Sequence, residues 1–161
     1  MTDGSRPRGR RLTRYHRIGS PNDPARVLRD RPLECALCHA DRSVETLVTT
    51  MERWWGRRFE RSRLKELYGA LDANPLDRTL LRGKPHEQGT AVGVLREYGG
   101  AAAVPLILPQ LWNAYPLVRY FARRALEQAS GRPVPIDVEQ DPAAIQVAAK
   151  AWMEAAEGTK P

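Results

Sequence analysis

Three leucines, Leu64, Leu95 and Leu126, recur at a constant step of 31 residues. Gly69, Gly100 and Gly131 keep the same step, as do the pairs Leu76 and Ile107, Leu80 and Leu111, and Leu81 and Trp112. A fixed period of this size marks one supersecondary unit copied along a chain. Each copy reads as a helix, a glycine-containing turn and a second helix. One such pair cannot bury its own apolar face, so the copies must stack into a continuous core. The period therefore predicts an all-α fold, a short α-solenoid.

Local signals agree with this reading. The stretches HEQGTAVGVLREYGG, AAAVPLILPQLW and PLVRYFARRALEQASG carry the clearest helices. Pro85 and Pro116 suit first helical turns, and the glycines stop the helices behind them. Pro105 is tolerable near a helix start, whereas Pro109 should kink or end its helix. After Gly131, RPVPIDVEQ reads as an extended connector. Asp141 as cap and Pro142 at the first position then open a last helix. Its buried side is Ile145, Ala148, Ala149 and Trp152, and it is expected to cap the open end of the stack.

Ahead of the repeats, SVETLVTTMERWWG predicts one more helix, capped by Ser43 or Asp41, with Glu45 in its first turn and Gly56 at its end. Val44, Leu47, Val48, Met51, Trp54 and Trp55 fall on one stripe, which points both tryptophans to the core, though one could instead lie against a bound porphyrin as its apolar wall.

Just before that helix stands Cys35-Ala36-Leu37-Cys38-His39, which holds both cysteines and one of the three histidines of the chain. C-x-x-C-H is the attachment signature of a c-type haem. Two thiols at this spacing reach the two vinyl groups of one porphyrin, and the next histidine supplies the proximal iron ligand. Cys35, Cys38 and His39 are thus the expected binding residues for one covalent haem c, with His39 on the iron. His16 is the expected second iron ligand, ahead of His86, because it lies on an irregular arm that can fold back. Met51 could also ligate iron, although a Met in such a stripe is more often core filler. Two other readings of the cysteines stay open. They could form a redox disulfide, or share a zinc ion with His16 and His86.

Charge is uneven. Residues 1–31 contain nine Arg and three Asp, so six of the seven net positive charges lie there. With its Arg, Pro and Gly, this arm reads as irregular unless a partner ties it down. Arg-rich arms can neutralise phosphates, but no recognition fold or stacking platform follows, so a nucleic-acid partner is not expected. Covalent haem attachment normally takes place outside the cytoplasm, yet the first thirty residues lack the apolar core of an export signal. The expectation is a periplasmic or otherwise extracytoplasmic protein whose true start lies upstream. No run of 18 apolar residues exists, so no membrane span is expected.

Two family resemblances run through these residues. VLREYGGAAAVPLILPQL followed by VRYFARRALEQASG resembles bacterial HEAT repeats of the short kind, over about Lys84 to Gly131, with a degenerate unit before them. HRIGSPNDPARVLRDRPLECALCHADRSVETLVTTMERWWG resembles the terminal haem segment of multihaem c-type cytochromes fused to tetratricopeptide or HEAT repeats. Asp41-Arg42-Ser43 and Trp54-Trp55-Gly56 fit that pattern. Such proteins carry several haem motifs and a signal peptide; this chain carries one motif and no such peptide.

The resemblance implies a C-terminal part of a multihaem cytochrome that transfers electrons to a redox partner protein or a neighbouring haem domain. The organisation that follows is a basic irregular arm (1–33), a c-type haem motif with its helix (34–56), HEAT-like repeats (57–132), and a connector with a capping helix (133–161). Protein groups for catalysis are not apparent: no nucleophile–base pair, carboxylate pair or phosphate loop stands out, so an electron carrier is expected rather than an enzyme. The competing class is a HEAT-repeat interaction module without haem.

Overall fold

All regular structure in residues 20–157, the residues described by the computed structural model, is helical. Helix α1 spans Pro24–Val27, and the Asp23 carboxylate caps it by accepting the Ala25 N–H at 2.9 Å. A 3-10 turn over Glu34–Leu37 follows. Helix α2 runs over Val44–Trp55. At its start the Ser43 hydroxyl accepts the Thr46 N–H at 3.2 Å, and Gly56 ends it in the left-handed region at φ 66°. The first helical amides need outside acceptors. Here Val44 N–H donates to the Ala73 carbonyl at 3.0 Å, and Glu45 N–H to that of Leu71 at 2.7 Å.

Two short helices, α3 (Arg61–Tyr68) and α4 (Pro75–Arg82), lead into α5 (Pro85–Tyr98). The next stretch is a compound rod. It begins as 3-10 over Gly100–Ala103, becomes α6 over Val104–Ile107, and returns to 3-10 over Leu108–Trp112. The second change falls around Pro109, which has no N–H to donate four residues back. Helix α7 (Pro116–Ser130) packs on α5 and on the Leu108–Trp112 turn, and α8 (Pro142–Glu157) packs on that same turn. No described helix is long and apolar enough to cross a membrane.

The 31-residue register is a register of burial. Leu64, Leu95 and Leu126 are buried, as are Leu76 with Ile107 and Leu80 with Leu111. The pair Leu81 and Trp112 falls outside it, since Leu81 is 70% exposed. Gly69, Gly100 and Gly131 all take positive φ (79°, 52° and 66°), a backbone conformation open to glycine at little cost. Gly99 serves a different need. A Cβ there would lie 2.4 Å from the Ala103 Cβ and 2.6 Å from the Leu95 carbonyl oxygen. In Gly99-Gly100 the first residue makes room and the second makes the turn.

The tryptophan expectation fails. Val44, Leu47, Val48 and Met51 are buried along α2, but Trp54 is 68% exposed and Trp55 44% exposed. The backbone takes positive φ at Gly56, and beyond it Phe59 is buried, with its N–H donating to the buried Glu52 at 2.8 Å. The helical period continues, but the core it faced does not. Met51 is core filler, as its place in the stripe suggested. At the other end, connector residues 133–141 contribute more than the pattern promised. Val134, Ile136 and Val138 alternate inward, with Ile136 N–H donating to the Val134 carbonyl at 2.8 Å, while Trp152 of α8 donates its indole N–H to the Pro133 carbonyl at 2.9 Å.

Candidate haem-attachment site

The C-x-x-C-H residues lie on a tight turn rather than inside a regular helix. Ala36 N–H donates to the Leu33 carbonyl at 2.9 Å. The Cys35 carbonyl then accepts from two amides, Cys38 N–H at 3.3 Å and His39 N–H at 2.9 Å. This doubled acceptor folds the motif back on itself, so that both thiols and the imidazole belong to one turn. Ala36, between the cysteines, is fully buried and anchors the turn in the core. Cys35 is half-buried, and Cys38 and His39 are exposed.

Five contacts hold the turn and its flanks in place. The Arg26 guanidinium pairs with Glu34, the residue just before Cys35. The Tyr68 hydroxyl donates to the Asp30 carbonyl at 3.4 Å. Arg31 reaches the start of α5: its N–H donates to Glu87 at 3.1 Å, and its guanidinium donates to the Arg82 carbonyl. On the far side, the Asn74 side-chain amide donates to the Ala40 carbonyl at 2.6 Å, while its oxygen caps α4 by accepting Leu76 N–H at 2.8 Å. Asn74 thus ties the residue after His39 to the first helix pair. Glu87, buried at the third position of α5, also accepts Lys84 N–H at 2.6 Å. A Glu at that position was a legible capping signal. Its second role, receiving Arg31, was not legible, because the two residues are 56 apart in the chain.

The thiols are free, not joined in a disulfide. Burial pushes the Cys35 thiol above its ordinary range, and the neighbouring Glu34 carboxylate adds to the effect. Redox-active C-x-x-C pairs depend on the reverse, a thiol lowered by nearby positive charge or a helix start. Among the described residues, no three His, Cys, Asp or Glu side chains converge as a cage for a metal ion. Two free thiols and an adjacent imidazole on one turn are a donor set that fits haem c: the sulfurs for thioether bonds, His39 for iron.

The remaining histidines separate. His16, the expected second iron ligand, lies outside the described residues. His86 is exposed in the first turn of α5, next to Glu87 and therefore on the helix end that Arg31 grips.

A second cluster locks α2 to α3. Arg61 donates to Glu45 through Nε at 3.1 Å and Nη2 at 2.9 Å, and to Glu52 through Nη1 at 2.7 Å and Nη2 at 2.9 Å. Glu52 also accepts Phe59 N–H at 2.8 Å. Its carboxyl is held down to about 2, chiefly by the Arg61 hydrogen bonds and then by that backbone amide. Glu45 is lowered by the same guanidinium. Sequence reading assigned Glu45 to a first helical turn and missed the clasp. No protein-family model, curated protein or solved structure matches this chain.

Proposed function

We propose that this protein is a c-type haem electron carrier built on a HEAT-like helical scaffold, a part of a multihaem cytochrome. The observation that carries the reading is the turn itself, which presents Cys35, Cys38 and His39 together while Ala36 roots it in the core. Cys35 and Cys38 would hold the porphyrin, and His39 would bind the iron; the bound group supplies the one-electron couple. His16 remains the proposed second ligand. Attachment of this kind places the protein outside the cytoplasm, in a compartment that matures c-type haem. The HEAT-like solenoid is supported by the buried leucines at one register and by the three positive-φ glycines at the same step.

The test is chemical. Protein matured in a periplasm should keep its haem on the polypeptide through acid–acetone extraction. Haem passing into the acetone layer would reject covalent attachment and leave the haem-free interaction module as the better reading. His39→Ala should retain attachment but alter the iron spectrum, since the thioethers remain when the proximal bond is lost. His16→Ala and His86→Ala, recorded in the ferric state, then assign the second ligand: the variant that turns a low-spin spectrum high-spin has lost it.

A further inference from the structure

The end of α2 carries a surface that the electron-carrier reading does not use. Trp54 and Trp55 stand 68% and 44% exposed, edge to face with ring centroids 5.8 Å apart. Arg53, Arg57 and Arg58 flank them and are exposed, with the Arg58 side chain 89% so. Glu52, the nearest carboxylate in sequence, is buried and held by Arg61, with Arg58 3.4 Å from it. That leaves Glu60 as the only exposed acid from Arg53 to Glu60, and Arg53 and Arg57 as the cations of the rim that pair with no carboxylate among the described residues. Two large apolar rings are thus left in water inside a positively charged rim.

We propose that this patch docks an acidic protein surface, the redox partner of the carrier. The charge selects the occupant. Residues 1–19 hold six Arg against one Asp and would be repelled, and a second copy would set Arg against Arg. A partner must therefore be anionic. A bilayer fits poorly, because the apolar face of α2 is buried in the core and only two rings remain to insert, too little for interfacial binding. A nucleic-acid strand fits poorly too, since the edge-to-face pair offers no open stack of parallel ring faces. Trp and Arg, with Lys absent, are the residues that carry binding energy at the centres of protein interfaces. A contact built on one Trp pair belongs to the small, transient class in which redox encounters fall. Helix α2 is about 18 Å long and a small partner domain about 30 Å across, so a partner seated on the tryptophans reaches the motif end.

The partner's redox role rests on the proposed function; the docking itself needs no haem. The experiment uses an acidic plant-type ferredoxin as probe, titrated into the full chain with and without haem at low salt, read by tryptophan fluorescence and calorimetry. Expected is a dissociation constant below about 100 μM that weakens at least tenfold in Trp54→Ala/Trp55→Ala. Arg53→Glu/Arg57→Glu should weaken it as much and flatten its salt dependence. Unchanged helical dichroism and melting show that these surface variants fold. No binding, or binding that ignores both variants, overturns the proposal. So does tighter, variant-sensitive binding to phosphatidylserine vesicles or to an oligo-dT strand, which would name a membrane or a nucleic acid as occupant. If the ferredoxin docks on both forms but haem is extracted by acid–acetone, the carrier reading fails and the docking surface stands.

Discussion

From Arg61 onwards, a residue is placed by a continuous apolar core in which Leu64, Leu76, Leu95, Ile107, Leu111, Leu126 and Ile145 are all buried. From Ser20 to Ser43, the deep apolar anchors are fewer, with Val27, Leu33 and Ala36 the main ones, and polar contacts to distant residues set the path. The two regions solve different problems. Along the helices after Arg61, apolar residues at a constant 31-residue step are buried, so a local pattern suffices to place them. The Cys35–His39 turn leaves Cys38 and His39 in the open, and the fixing has to come from beside them. The lesson is that exposure of Cys38 and His39 is compatible with a well-placed motif, because Ala36, Asn74 and Arg31 do the placing.

Breaking the apolar core after Arg61 should have the largest effect. Leu95→Ala and Leu126→Ala should each cost about 2–5 kcal/mol, through lost burial and the cavity left behind. Combined, they should remove most of the stability of a chain this size. Urea titration followed by circular dichroism measures both; losses under about 1 kcal/mol for each would mean that the register does not describe the core.

The seam between the regions comes next. Arg61→Ala leaves the buried Glu52 with only the exposed Arg58 as a cation and should cost up to about 3 kcal/mol. The same clasp sets an acid limit. The Glu52 carboxyl is depressed to about 2 when folded, against about 4.5 when unfolded, so its contribution is fully present above pH 4.5. It is lost as pH falls towards 2, by roughly 3 kcal/mol in all. Glu52→Gln should flatten that part of the stability–pH curve. An unchanged curve would show that the clasp does not couple to folding.

Gly100→Ala should cost about 1 kcal/mol, for backbone strain alone, because open space surrounds its missing side chain. Gly99→Ala should cost more, since its Cβ meets Ala103 and the Leu95 carbonyl. Equal losses at the two positions would contradict this division of roles. The smallest effect is expected at the motif: in haem-free protein, Cys38→Ala should change stability by less than about 0.5 kcal/mol, as its side chain is exposed. A large loss there would mean that the turn is structural, and would blur the contrast between the regions.

Sequence alone determined the helical class, the cap at Asp141, the Pro109 break and the buried leucine register, because each depends on a residue's own backbone preference or on a period shared by its neighbours, while the choice of Ser43 over Asp41 fell to the structure. That Cys35, Cys38 and His39 stand together was also legible, since one turn of chain joins them. What only the tertiary structure decided lies between residues far apart. Arg31 finds Glu87, Asn74 finds Ala40, and Arg61 gathers Glu45 and Glu52, pairings that no local period encodes. The tryptophans show the same limit from the other direction. Their helical phase pointed to the core, but whether a core is there depends on where the chain goes after Gly56, and both rings stay exposed. A periodic pattern gives the direction a side chain points along its own element; whether another element fills that direction is settled by the packing of the whole chain.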